Sequence, residues 1–136
     1  MLNLDQSNQA QADGTKAIPE EHIEIAAQIA VIRALVDKSP AESSALLAAL
    51  AKLLNLTKEH FAHEEEIMIV SGFPGTLLHK RDHEYLVKGL RDYMAALADT
   101  TEPPAATFCD NLQSWLLFHI RKYDEAYMEF KERSAG

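Results

Sequence analysis

At 136 residues the chain has the length of one domain and can bury a core without disulfides. Its formal charge of -8, from 13 Lys and Arg against 21 Asp and Glu, repels phosphate backbones and anionic lipid surfaces, so neither nucleic acid nor membrane is an expected partner. Cys109 is the single cysteine, no apolar run approaches the ~20 residues that span a bilayer, and the polar start lacks a secretory signal, which together predict a cytoplasmic protein.

Residues 1–17 read as a flexible leader, because Gln, Asn, Ser and Gly dominate and no apolar periodicity persists. The domain then occupies residues 18–133. A first helix is expected from about Pro19 to Lys38, with Ile18, His22, Ile25, Ile29, Ile32 and Val36 on one stripe. Ser39, Pro40 and Glu42 form a capping box with proline at the first helical position, so a second helix should start there and run to about Val70. Its stripe holds Leu46, Leu50, Leu53, His60, Glu64 and Ile67.

Gly72, Pro74 and Gly75 break the chain, and a third helix follows with His79, His83, Leu86, Leu90, Tyr93 and Leu97 on one face. Thr100 to Pro104 form a second break. A last helix should reach about Arg133, with Phe108, Leu112, Trp115, His119, Tyr123 and Phe130 inward. Four amphipathic helices with short links predict an all-α, antiparallel, up-down-up-down four-helix bundle.

Five of the six histidines fall on these inward stripes. Unpartnered burial would cost ~1–3 kcal/mol for each imidazole, and a metal ion satisfies several at once. His60 and Glu64 are four residues apart, as are His79 and His83, so each pair projects from one helix face. His119 and Asp124 are five apart, about 140° on an ideal helix. Either the centre is approached from two sides, or the helix is distorted there.

With His22 the candidate ligands number seven, more than one octahedral ion accepts, and two carboxylates suit a bridged pair of metals. Imidazole and carboxylate without sulfur favour iron over structural zinc. His63, beside Glu64, reads as a partly exposed polar residue, and Glu65 and Glu66 as a solvated face or as acceptors behind the ligands. Cys109 reads as a small buried apolar residue.

His22, the run from His60 through Phe61 and Glu64 to Met68, the Gly-Phe-Pro link, His79-x-x-x-His83, and the segment from Trp115 and Leu116 through His119 to Asp124 resemble the hemerythrin family in order and spacing. The resemblance covers about residues 18–131. It implies that His79, His83 and His119 hold one iron, His22 and His60 the other, and that Glu64 and Asp124 bridge both beside an oxo or hydroxo ligand. It also implies an open position for dioxygen on the iron with two histidines, beside an apolar pocket of Phe61, Met68, Trp115 and Leu116.

The expected function is therefore reversible dioxygen binding, as a carrier or store rather than an enzyme. Two carboxylates leave a ferrous pair positively charged, whereas a site with four Glu favours the ferric state. The competing functions are a diiron enzyme acting on nitric oxide or peroxide, and a module that senses oxygen, redox state or iron. Such a site allows a redox partner, although no segment marks where one would dock.

Overall fold

The structure, a computed structural model, describes residues 18–37, 43–98 and 106–135. The leader, the capping box and the break at 100–104 lie outside the described residues, as does the side chain of Phe108. Helix α1 spans Ile18–Asp37, α2 Ser43–Ser71, α3 Thr76–Ala98 and α4 Ala106–His119. The last helix continues through one π-helical turn, Ile120–Asp124, into α5, Glu125–Ala135. The described residues form an all-α four-helix bundle, the last rod being α4, the π turn and α5 together.

The N-terminal ends of α1 and α3 meet the C-terminal parts of α2 and the last rod, since His22 contacts Asp124 and His83 contacts both His119 and Glu64. Neighbouring helices therefore run in alternate directions. Along the bundle axis three layers follow from this arrangement. The first is an apolar core with Ile25, Ile29 and Ile32 of α1, Leu46, Leu50 and Leu53 of α2, Leu90 and Leu97 of α3, and Cys109, Leu112 and Leu116 of α4. Each large aliphatic side chain buried there contributes about 1.5–3 kcal/mol. Cys109 is fully buried among them, and burial pushes its thiol pKa up.

The polar layer comes next, and an aromatic end-cap closes the bundle beyond it. There α2 ends in a Schellman motif: Gly72 at φ +70 donates its N–H to Ile69 O at 3.2 Å, and Phe73 donates to Met68 O at 3.1 Å. Gly75 is required for a different reason, since a Cβ there would meet the Phe73 ring at 2.6 Å. That ring packs on Tyr127 and Phe130 of α5, with centroids 5.4 and 5.2 Å away. The stripe of α2 differs in one place from the periodicity. Met68, one helical turn beyond Glu64, takes the buried position, and Ile67 is only half-buried.

Candidate metal centre

All seven side chains singled out by spacing converge in the polar layer. Six of them are at least nine-tenths buried, and the His22 side chain is 18% exposed. Their donor atoms form two groups, Glu64 with His79, His83 and His119, and His22 with His60, Glu64 and Asp124; within each group all donor atoms lie within 4.8 Å of one another. Glu64 belongs to both. Its Oε1 lies 3.3 Å from His60 Nε2, 3.5 Å from His79 Nε2, 3.2 Å from His83 Nε2 and 3.4 Å from His119 Nε2. Asp124 faces both groups with different oxygens: Oδ1 lies 3.0 Å from His79 Nε2 and 3.2 Å from His119 Nε2, and Oδ2 lies 2.8 Å from His22 Nε2.

The π turn makes this possible. Its i→i+5 bonding, with the Glu125 N–H donating to Ile120 O, lets residues five apart share a face, so His119 and Asp124 both point inward. Of the two geometries open from the spacing, the helix is the one that is distorted.

Three imidazoles are held from behind by carboxylates. His60 Nδ1 donates to Glu21 Oε1 at 3.0 Å, His83 Nδ1 to Glu65 Oε2 at 2.8 Å, and His119 Nδ1 to Asp82 Oδ2 at 2.7 Å. A proton on Nδ1 leaves a lone pair on Nε2, aimed at the centre. His79 Nε2 and His83 Nε2 each lie 3.3 Å from His119 Nε2. Lone pairs that close repel unless a cation sits among them. Ligands ~2.1 Å from one metal at right angles would be about 3 Å apart, close to this spacing. His60 Nε2 and Asp124 Oδ1 are buried without a hydrogen-bond partner, which a metal ion would supply.

Where protons are the only cations, the same geometry attracts them. Burial opposes protonation of His60, but Glu21 and Glu64 outweigh it and push its pKa up to about 9. Burial likewise opposes protonation of His119, whose pKa Asp124, Glu64 and Asp82 push up to about 10. The surrounding imidazoles, against the opposing effect of burial, hold the Glu64 and Asp124 carboxyls below their usual range.

The family described as Hemerythrin HHE cation binding domain matches residues 13–130. The chain belongs to the hemerythrin family. A bacteriohemerythrin from Stenotrophomonas maltophilia is 31% identical over 94 residues, 69% of this chain and 61% of that protein. A myohemerythrin from Riftia pachyptila is 36% identical over 87 residues, 64% of this chain and 67% of that protein. A bacteriohemerythrin from Pseudomonas aeruginosa is 27% identical over 117 residues, 85% of this chain and 74% of that protein. The chain thus spans less than two thirds of the first of these relatives. No solved structure gives a significant match.

The four hemerythrin-type pocket residues lie on two elements, Phe61 and Met68 on α2 and Trp115 and Leu116 on α4. Phe61 stacks on His83 at 3.7 Å and meets Trp115 edge-on at 6.3 Å, and Trp115 packs against the apolar core that includes Leu116. Met68 is buried one helical turn beyond Glu64, and its backbone carbonyl accepts from Phe73 N–H. Glu21 and Asp82 were missed by sequence reasoning, although each precedes a candidate ligand in the chain, Glu21 before His22 and Asp82 before His83. Glu65 takes the acceptor role and Glu66 is exposed. His63, 19% exposed, donates to the same Glu21 oxygen as His60.

Proposed function

We propose that His22, His60, Glu64, His79, His83, His119 and Asp124 hold two iron ions and that the centre binds dioxygen reversibly. The observation that carries this reading is the position of Glu64 and Asp124 between two imidazole groups. His79, His83 and His119 would hold one ion, His22 and His60 the other, and both carboxylates would bridge them beside an oxo or hydroxo group. Five imidazoles with two carboxylates suit iron. A ferrous pair held there would supply the electrons that reversible dioxygen binding draws on.

The remaining work belongs to the chain. Glu21, Glu65 and Asp82 fix which nitrogen of His60, His83 and His119 faces the centre, so the ligands are oriented before any ion arrives. Phe61, Trp115 and Leu116 form an apolar wall that limits water, which would otherwise assist loss of oxygen together with its electrons. The names of the relatives, bacteriohemerythrin and myohemerythrin, support this assignment.

The test is optical. The iron-loaded protein, reduced without air and then cycled between air and vacuum, should gain and lose a visible charge-transfer band with oxygen pressure. A band that never forms, or one that forms and does not reverse, rejects the carrier role. A second reading, turnover of nitric oxide or peroxide, is favoured by the partial exposure of His22, whose side chain is 18% accessible where those of the other four imidazoles are 1–2%. Consumption of either substrate with a reductant over many cycles would establish it.

A further inference from the structure

Three of the bundle's four seams are closed by extensive helix packing, α1 on α2, α2 on α3 and α1 on α4. The α3–α4 seam is the loosest among the described residues, and a cavity of about 330 Å³ opens along it. Leu86 and Leu90 line its inner side from α3, and Leu112 and Trp115 from α4, with exposed Tyr85, Gly89 and Asn111 at its rim. Lys88 and Asp92 also border it, but they pair with each other at 2.7 Å, so their charges offset one another.

Gly89 gives the cavity part of its width. Glycine inside a helix is less stable than alanine, yet nothing in the backbone or packing demands it here. Its φ is not in the left-handed region, and a Cβ would meet nothing within 4 Å. The missing side chain leaves open volume.

Trp115 stands where the cavity meets the metal centre. Behind it, Phe61 lies flat on His83 at 3.7 Å, with the His119 and His60 rings 5.2 and 5.7 Å away. The Trp115 Nε1 is buried with no hydrogen-bond partner, so packing alone holds the ring in place. A side chain without a polar tether can change rotamer without breaking a hydrogen bond.

We propose that the α3–α4 cavity is an antechamber for a small apolar gas molecule, dioxygen in this protein, and that Trp115 is the partition between it and the metal centre. The proposal rests on the dioxygen reading above. The cavity's inner wall of Leu86, Leu90, Leu112 and Trp115 is apolar and suits an unhydrated diatomic molecule better than an anion, which would lose hydrogen bonds against it. Trp115 lines the cavity and meets Phe61, which stacks on His83.

Xenon is the probe, because it occupies apolar cavities without needing iron. Iron-loaded wild type, Gly89→Ala and Gly89→Leu would be compared. Xenon NMR should show saturable binding to wild type and Gly89→Ala and its loss in Gly89→Leu, and xenon-pressurised crystals should place the atom between α3 and α4. Dioxygen association measured by rapid mixing should slow severalfold in Gly89→Leu at unchanged iron content, while Gly89→Ala, which adds helix propensity but little volume, keeps the wild-type rate. Equal xenon binding by Gly89→Leu, or an unchanged association rate, overturns the proposal. If wild type shows no reversible dioxygen binding, the functional reading falls separately and the xenon comparison alone decides the cavity.

Discussion

At the residue scale, the centre depends on side chains with two ends in use. His119 gives Nδ1 to Asp82 and turns Nε2 inward, whereas His79 has Nε2 inward and a buried Nδ1 with no partner. His79 is therefore oriented mainly by the centre itself. His79→Ala should roughly halve the bound metal, measured by elemental analysis, because one group of donors keeps His22, His60, Glu64 and Asp124 intact. Leu116→Ala should retain both ions, cost about 2–3 kcal/mol of stability, and shorten the life of the oxygenated protein. An unchanged lifetime would remove Leu116 from the water-excluding wall. Six of the ligands were legible because each one interrupts an apolar stripe, where a charged or polar group needs a reason, whereas Asp124 lies off the stripe of His119 and entered through its five-residue spacing and the family resemblance. Glu21 and Asp82 were not, because they lie off those stripes and find their imidazoles only across a helix interface.

At the scale of elements, the π turn resolves a conflict that spacing could state but not decide. Periodicity assumes a uniform twist, so a five-residue step from His119 to Asp124 reads as a change of face. The turn absorbs one residue without rotating α5, and Tyr127 and Phe130 still reach Phe73. Deletion of exposed Lys122 should consequently convert the turn to ordinary α-helix with the two ligands four apart, preserving metal content and the end-cap. Deletion of exposed Arg81, between His79 and His83, should rotate one ligand by about 100° and abolish binding at that group. Equal metal content in the two deletions would show that the turn does not set the register. The choice of Met68 over Ile67 and the loose α3–α4 seam also escaped the sequence, because both depend on how whole helices tilt against one another.

At the scale of the molecule, metal binding would displace protons from the core. In the metal-free fold the neighbouring carboxylates push His60 and His119 up to about 9 and 10 against an ordinary 6.5. A raised imidazole pKa stabilises the fold fully below 6.5, and that stabilisation is lost as pH climbs through 9 and 10. Glu64 and Asp124 act in the opposite sense, contributing above their ordinary 4.5 and 3.8 and losing that contribution in acid. The metal-free protein should thus melt highest between about 4.5 and 6.5 and lose several kcal/mol by pH 10. Metal uptake near pH 7.5 should release about two protons per chain from these imidazoles, in addition to those lost by water that becomes the oxo or hydroxo group, measured by calorimetry in buffers of different ionisation heat. A release no larger than that of the water would show that the two imidazoles are neutral before binding.

The loose α3–α4 seam has a mechanical consequence. Its two sides carry His79 and His83 on one helix and His119 and Asp124 on the other rod, so a bound metal cluster would stitch together the neighbours that side-chain packing joins least. Without that stitch, the last rod is held by α1 along one flank and by the Phe73 clasp at one end. Sub-global opening should then begin there, with the rod lifting away while α1, α2 and α3 remain assembled. Amide hydrogen exchange should show the largest protection difference between loaded and stripped protein along Cys109–Tyr123, and a smaller one in the middle of α2. A uniform difference over all helices would mean instead that the bundle opens as one unit and that the metals fasten no particular seam.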